Sequence, residues 1–177
     1  VRVFAIDDSN PDYDIVNRIY QNVGSGTHIG IELIFSHDIG EHWELSGSAN
    51  VYENVIDAAE TTLLFPVVRP FSVPRSEDDT WDMKLNSLFK LPNGIEAQMS
   101  VVYYAEKPIA QGREAARSSV DLGFKKPMLR DAELVVSITD LFNEFGIRQE
   151  IDGDGFDAVY ENFYETQTVM VGMNYRF

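Results

Sequence analysis

The stretch Gln167-Thr168-Val169-Met170-Val171-Gly172-Met173-Asn174-Tyr175-Arg176-Phe177 decides the fold. In an extended strand, alternate side chains leave opposite faces. Val169, Val171, Met173, Tyr175 and Phe177 then share one apolar face. Thr168, Met170, Gly172, Asn174 and Arg176 make the other, which is mostly small or polar. An apolar face that ends in aromatics, backed by a wet face, is the pattern of a strand with lipid on one side and water on the other.

The same alternation recurs upstream. Leu134, Val136 and Ile138 oppose Val135, Ser137 and Thr139, with the phase failing at Asp140, where a bulge or a membrane boundary is expected. Val120, Leu122 and Phe124 oppose Asp121, Gly123 and Lys125. Ile95, Ala97, Met99, Val101 and Tyr103 oppose Glu96, Gln98, Ser100 and Val102. Trp81, Met83, Leu85, Phe89 and Leu91 oppose Asp82, Lys84, Asn86 and Lys90, and Trp43 to Val55 alternates likewise. One long strand is expected from Arg18 to Asp38, bent at Gly24-Ser25-Gly26, and Val1 to Ile6 reads as the far end of a truncated first strand. This makes seven complete strands and one partial.

The connections alternate in length. Those at 39–42, 92–94 and 129–132 are short, and Pro92-Asn93-Gly94 is a strong hairpin turn. Those at 58–79, 106–116 and 144–165 are long, the first carrying Pro66, Pro70 and Pro74, which a central strand does not accommodate. Tight turns on one rim and long loops on the other are the habit of outer-membrane barrels, and Trp43, Trp81, Tyr175 and Phe177 suit interfacial girdles. The fold expected is all-β, an antiparallel up-and-down transmembrane barrel segment of about eight strands. A soluble sandwich or lipocalin-like barrel also alternates, but its loop lengths need not.

Composition narrows the function. The chain of 177 residues carries 14 Lys plus Arg against 29 Asp plus Glu, a net charge of -15, which argues against nucleic-acid binding. There is no cysteine, hence no disulfide framework and no thiolate metal site. No run approaches the roughly 18 apolar residues of a membrane helix, a test that strands escape. No phosphate loop, nucleophile elbow or paired His cluster is present, so no enzyme is expected.

Several segments together resemble TonB-dependent outer-membrane receptors. Asn22-Val23-Gly24-Ser25-Gly26-Thr27-His28-Ile29-Gly30-Ile31-Glu32-Leu33 is similar to a strand late in their barrels. Asp140-Leu141-Phe142-Asn143 resembles their penultimate-strand motif, and Val171 to Phe177 their closing strand. Arg117 to Lys126 looks most like the receptors of Bacteroidetes-type bacteria. The resemblance implies that residues 1–177 form the C-terminal part of a barrel of about 22 strands, with an N-terminal plug and earlier strands outside this sequence. It also implies nutrient uptake across the bacterial outer membrane, energised by TonB. The partners would be lipid, the remaining strands and plug, and a surface lipoprotein. The alternatives are a small ungated outer-membrane barrel with a structural or adhesive role, and a soluble β-barrel binding protein.

Particular residues follow from these readings. Glu32, Glu44, Asp82, Lys84, Asn86, Lys90, Glu96 and Gln98 are expected to face the lumen. Val171, Met173, Tyr175 and Phe177 resemble the signal read by the barrel-assembly machinery. Asp152, Asp154 and Asp157, on a Gly-rich loop, are a candidate calcium site that lacks the distal Glu of an EF-hand. No other cofactor is expected. Leu63 to Arg75 is an apolar loop that suits packing against neighbouring loops, or contact with a ligand or lipoprotein.

Overall fold

A computed structural model describes residues 2–7, 12, 15–22, 24–129 and 131–176. The expectations placed on Val1, Val23, Arg130, Phe177 and most of the 7–14 loop lie outside the described residues. In chain order the strands are β1 (Arg2–Asp7), β2 (Ile15–Tyr20), β3 (Gly26–Ile39), β4 (Trp43–Ile56), β5 (Ala59–Leu63), β6 (Arg69–Val73), β7 (Ser76–Leu91), β8 (Ile95–Tyr104), β9 (Lys107–Ile109), β10 (Gly112–Glu114), β11 (Arg117–Leu129), β12 (Ala132–Thr139), β13 (Ile147–Gly153), β14 (Phe156–Asn162) and β15 (Thr168–Tyr175).

Seven of them form one antiparallel meander in the order β15-β12-β11-β8-β7-β4-β3. The tight connections join β3 to β4, β7 to β8 and β11 to β12, all on one rim. At Pro92-Asn93-Gly94 the chain turns through two successive left-handed residues, φ 63° at Asn93 and 70° at Gly94, a conformation that Asn and Gly tolerate best. β3 and β15 are the edge strands, exposed along their whole length, and both run from the long-connection rim to the short-connection rim. The sheet is open.

The first stretch is not a barrel strand. Among the described residues β1 pairs with β2 alone, antiparallel and outside the meander, and Val3, Phe4 and Ala5 are buried. Nor is Arg18 to Asp38 one bent strand: β2 stops at Tyr20 and β3 starts at Gly26. Gly24, at φ 66°, turns the chain between them, a conformation that glycine adopts without a steric penalty.

The long connections carry strands of their own. β5 and β6 make a hairpin, with Pro70 inside β6, where a two-stranded ribbon leaves room for a residue without an N–H. β9, β10, β13 and β14 make a four-stranded sheet in the order β14-β13-β10-β9. Apolar residues of β1, β5, β6 and the β9–β10 turn meet in a core of Val3, Ala5, Leu63, Phe71, Val73 and Ala110, supported by Ile19, Ile56 and Ala59. Gln111 joins two of these pieces. Its Oε1 accepts from the Phe4 amide at 2.7 Å and its Nε2 donates to the Phe4 carbonyl at 3.0 Å, occupying the backbone of β1 as a further strand would.

Asp140 resolves the lost phase: β12 ends there. With φ 46° and its side chain buried, Asp140 accepts from the amides of Glu144 and Phe145, each at 3.2 Å, and from the Thr166 hydroxyl at 2.5 Å. Its own amide donates to Asp121 Oδ1 at 2.8 Å. The Asp-Leu-Phe-Asn motif is therefore a strand stop that organises the start of the longest connection.

Candidate functional site: the polar wall of the sheet

Cross-strand partners in a sheet lie on the same face, so the pairing register sorts the meander into two surfaces. Glu32 pairs with Asn50, Asn50 with Asp82, Asp82 with Tyr104 and Tyr104 with Arg117, a row across five strands. Two residues nearer the short-connection rim, Ser48 pairs with Lys84 and Lys84 with Val102. Below these come Ser46, Asn86, Ser100 and Asp121, then Leu88, Gln98 and Gly123, then Lys90, Glu96 and Lys125. Glu44 lies opposite Leu88. All eight residues expected on the wet side thus share one face.

The register adds partners that sequence reasoning did not supply. Near the short-connection rim Glu44, Lys90, Glu96, Lys125 and Glu133 alternate in sign across β4, β7, β8, β11 and β12. Lys90 is ion-paired with Glu44, and Lys125 Nζ lies 3.4 Å from a carboxylate oxygen of Glu96 and 3.4 Å from one of Glu133. Exposed pairs of this kind add little stability singly. Their placement keeps the wall charged on both signs and wettable, with the opposite charges largely paired at that level.

Near the other rim the polar wall meets the folded loops. Asn50 Nδ2 donates to Asp82 Oδ1 at 2.8 Å, and a cavity of about 450 Å³ opens there beside His28, Tyr52 and Lys107. Arg117 stacks over the rings of Tyr104 at 5.1 Å and Phe145 at 5.4 Å, and its guanidinium lies 3.5 Å from Glu114. Gln149 Nε2 donates to the other Glu114 oxygen at 2.9 Å. Donors, acceptors and aromatic faces thus line the junction of wall and loops, an arrangement suited to hydrogen-bonding a polar solute.

The opposite face is apolar and bounded. Trp43 stacks on Phe89 at 5.5 Å near the short-connection rim, with Trp43 Nε1 donating to Ser87 Oγ at 2.7 Å, and Trp81 stacks on Tyr103 at 4.6 Å near the other. From Trp81 to Phe89 is about 27 Å along β7 at roughly 3.4 Å per residue. At a strand tilt near 40° this is about 21 Å along a barrel axis, close to the apolar band of roughly 25 Å in membrane barrels. Beyond Trp81 the same face turns acidic, with Asp79 opposite Glu53.

The profile of the outer membrane protein beta-barrel family matches residues 2–175. The chain belongs to that family. No curated protein and no solved structure matches it. In an outer membrane barrel the apolar face meets lipid, so the polar face is the interior one. A soluble sandwich or lipocalin-like fold is thereby set aside.

The remaining candidate residues are distributed as follows. Val171, Met173 and Tyr175 lie on the apolar face of the edge strand β15, 67%, 70% and 53% exposed, while Phe177 falls outside the described residues. Asp152 and Asp157 are partners across the β13–β14 hairpin, but Asp154 lies in the turn, 3.9 Å from Arg69. The three carboxylates do not converge, and among the described residues no group of three or more acidic or His side chains is placed to hold a metal. In the 63–75 loop, Leu63, Phe71 and Val73 pack into the loop core, leaving Leu64, Phe65, Val67 and Val68 exposed at the hairpin tip.

Proposed function

We propose that this chain is the C-terminal barrel segment of a TonB-dependent receptor that takes up a nutrient across the outer membrane. The observation that carries the reading is the open seven-stranded wall, polar along its inner face and crowned by a folded loop body. A small closed barrel fills its interior with its own side chains. This wall instead presents paired charges and hydrogen-bonding groups along an open sheet, which suits the lining of a plugged transporter. The further strands, the plug and the TonB contact belong to the rest of the receptor, and the exposed loop tip at Leu64 to Val68 is available to a surface lipoprotein. Transport rather than catalysis is the work proposed for the polar wall.

Uptake by cells carrying the full protein tests this. Labelled ferric chelates, cobalamin, glycans and peptides are offered with TonB present or deleted. Accumulation of one of them that depends on both the protein and TonB is expected. Passage of small solutes independent of TonB, or none in an assembled protein, would replace the receptor with an ungated or adhesive barrel.

A further inference from the structure

The lipid-facing surface of the wall is notched. Phe89 on β7 and Phe124 on β11 are both cross-strand partners of Ala97 on β8, so two rings stand on either side of a methyl group. The depression continues over Met99, Leu122 and Ile138 as a cavity of about 420 Å³ walled almost wholly by apolar groups. Lys126 stands on the same face of β11, two residues beyond Phe124 toward the short-connection rim. Its side chain is exposed and has no ion pair among the described residues. Its neighbours at that level, Leu91, Ile95, Leu134 and Met173, are uncharged.

We propose that this notch is a phospholipid site, with one acyl chain lying over Ala97 between Phe89 and Phe124, and the phosphate held by Lys126. The lengths agree. Lys126 to Leu122 spans four strand residues, about 13 Å, close to one leaflet's share of a hydrocarbon core of about 30 Å. The charge agrees as well. A lysine on a lipid-facing strand is costly in the hydrocarbon but tolerated at its edge, where the ammonium reaches the headgroups. In a chain of net charge -15, Lys126 is the local cation that attracts an anionic phosphate. Phe89 and Phe124 stand two strand spacings apart, about 10 Å, room for a single acyl chain but not for the roughly 800 Å² that a stable protein contact buries on each partner. The inference rests on family membership and on the apolar face, not on TonB or on any transported solute.

Native mass spectrometry of the full protein, extracted from outer membranes and exchanged into detergent, tests it. Retention of phospholipid by the natural protein is expected. Ala97→Phe, which fills the notch, and Lys126→Gln, which removes only the charge, should each reduce the retained fraction, Lys126→Gln by about fivefold. Met83→Phe, on the same face of β7 but outside the notch, should retain lipid as the natural protein does. All variants are first checked for the mobility shift of a folded barrel on heating. Should Ala97→Phe fail to assemble, the outcome rests on Lys126→Gln, which adds no bulk. Equal retention by Lys126→Gln and the natural protein, complete loss of phospholipid from the natural protein on exchange, or a second copy of the chain in place of lipid would each overturn the site.

Discussion

The assignment of faces is tested most directly at the middle of β7. Leu85 lies on the apolar face, midway between Trp81 and Phe89, with about 13 Å of strand to each. Arginine on the lipid face of a membrane barrel costs about 2–4 kcal/mol at the midplane and about 0–1 kcal/mol near the interfaces. Leu85→Arg should therefore destabilise the protein by about 2–4 kcal/mol, roughly a 30- to 1000-fold change in the folding equilibrium. Leu91→Arg, past Phe89 on the same face, should cost no more than about 1 kcal/mol. Asn86→Arg, one residue from Leu85 but on the polar face, should cost little because the guanidinium enters water. Reversible guanidinium unfolding of the full protein in phospholipid vesicles, followed by Trp43 and Trp81 fluorescence, measures all three. If Asn86→Arg cost as much as Leu85→Arg, the two faces would not differ as described. If Leu91→Arg equalled Leu85→Arg, the girdles would not mark the depth.

Four further outcomes follow from the geometry. Asp140→Ala strands the amides of Glu144 and Phe145 and should cost about 3 kcal/mol, whereas Asp140→Asn, which keeps an acceptor, should cost less; chemical unfolding compares them. Gln111→Ala should release the β1–β2 pair, seen as loss of hydrogen-exchange protection at the Phe4 amide while β7 and β8 stay protected. Above the Trp81 girdle, a hydrogen bond from Arg75 holds Glu77 below the ordinary carboxylate range, and a hydrogen bond with Glu77 pushes Glu53 above it. The contribution of Glu77 is therefore complete above that range and lost as pH falls through its lowered pKa, while that of Glu53 is present at low pH and lost as pH rises through its raised pKa; Arg75→Gln should move the Glu77 midpoint upward in an NMR titration. Phe177→Ala in the full protein should lower the amount of heat-modifiable barrel in membranes, and unchanged assembly would remove that residue from the proposed assembly signal.

The meander was legible because its strands are governed by a period of two. Ile29 to Phe35, Trp81 to Leu91 and Ile95 to Tyr103 each announce both their faces, and the turn at Asn93-Gly94 announces its hairpin. The eight wet-side residues followed from the same period. Their partners did not. Lys125 meets Glu96 only once register brings β8 and β11 together across a long connection, and no local pattern states a register between strands so separated. The loop body was hidden for a related reason. Val3 comes from β1, Leu63 and Phe71 from the connection between β4 and β7, and Ala110 from the one between β8 and β11, and each stretch carries too few apolar residues to show a core alone. β9 and β10 are three residues each, too brief for any period to register. The calcium reading failed on geometry, since a hairpin sets Asp152 against Asp157 and leaves Asp154 at the turn beside Arg69.

The common direction of β3 and β15 restricts what can complete the wall. Joined edge to edge they would make a parallel pair, which an up-and-down antiparallel barrel does not contain. A second copy inserted in the same sense through the membrane presents the same direction at both its edges, so it meets the same obstacle, as does any ring of copies. Only a sheet with an odd number of strands, its outer two running from the short-connection rim to the long one, pairs antiparallel on both sides. The two bare edges therefore select by polarity as well as by hydrogen bonding, and they close the route by which identical segments would otherwise assemble into a pore.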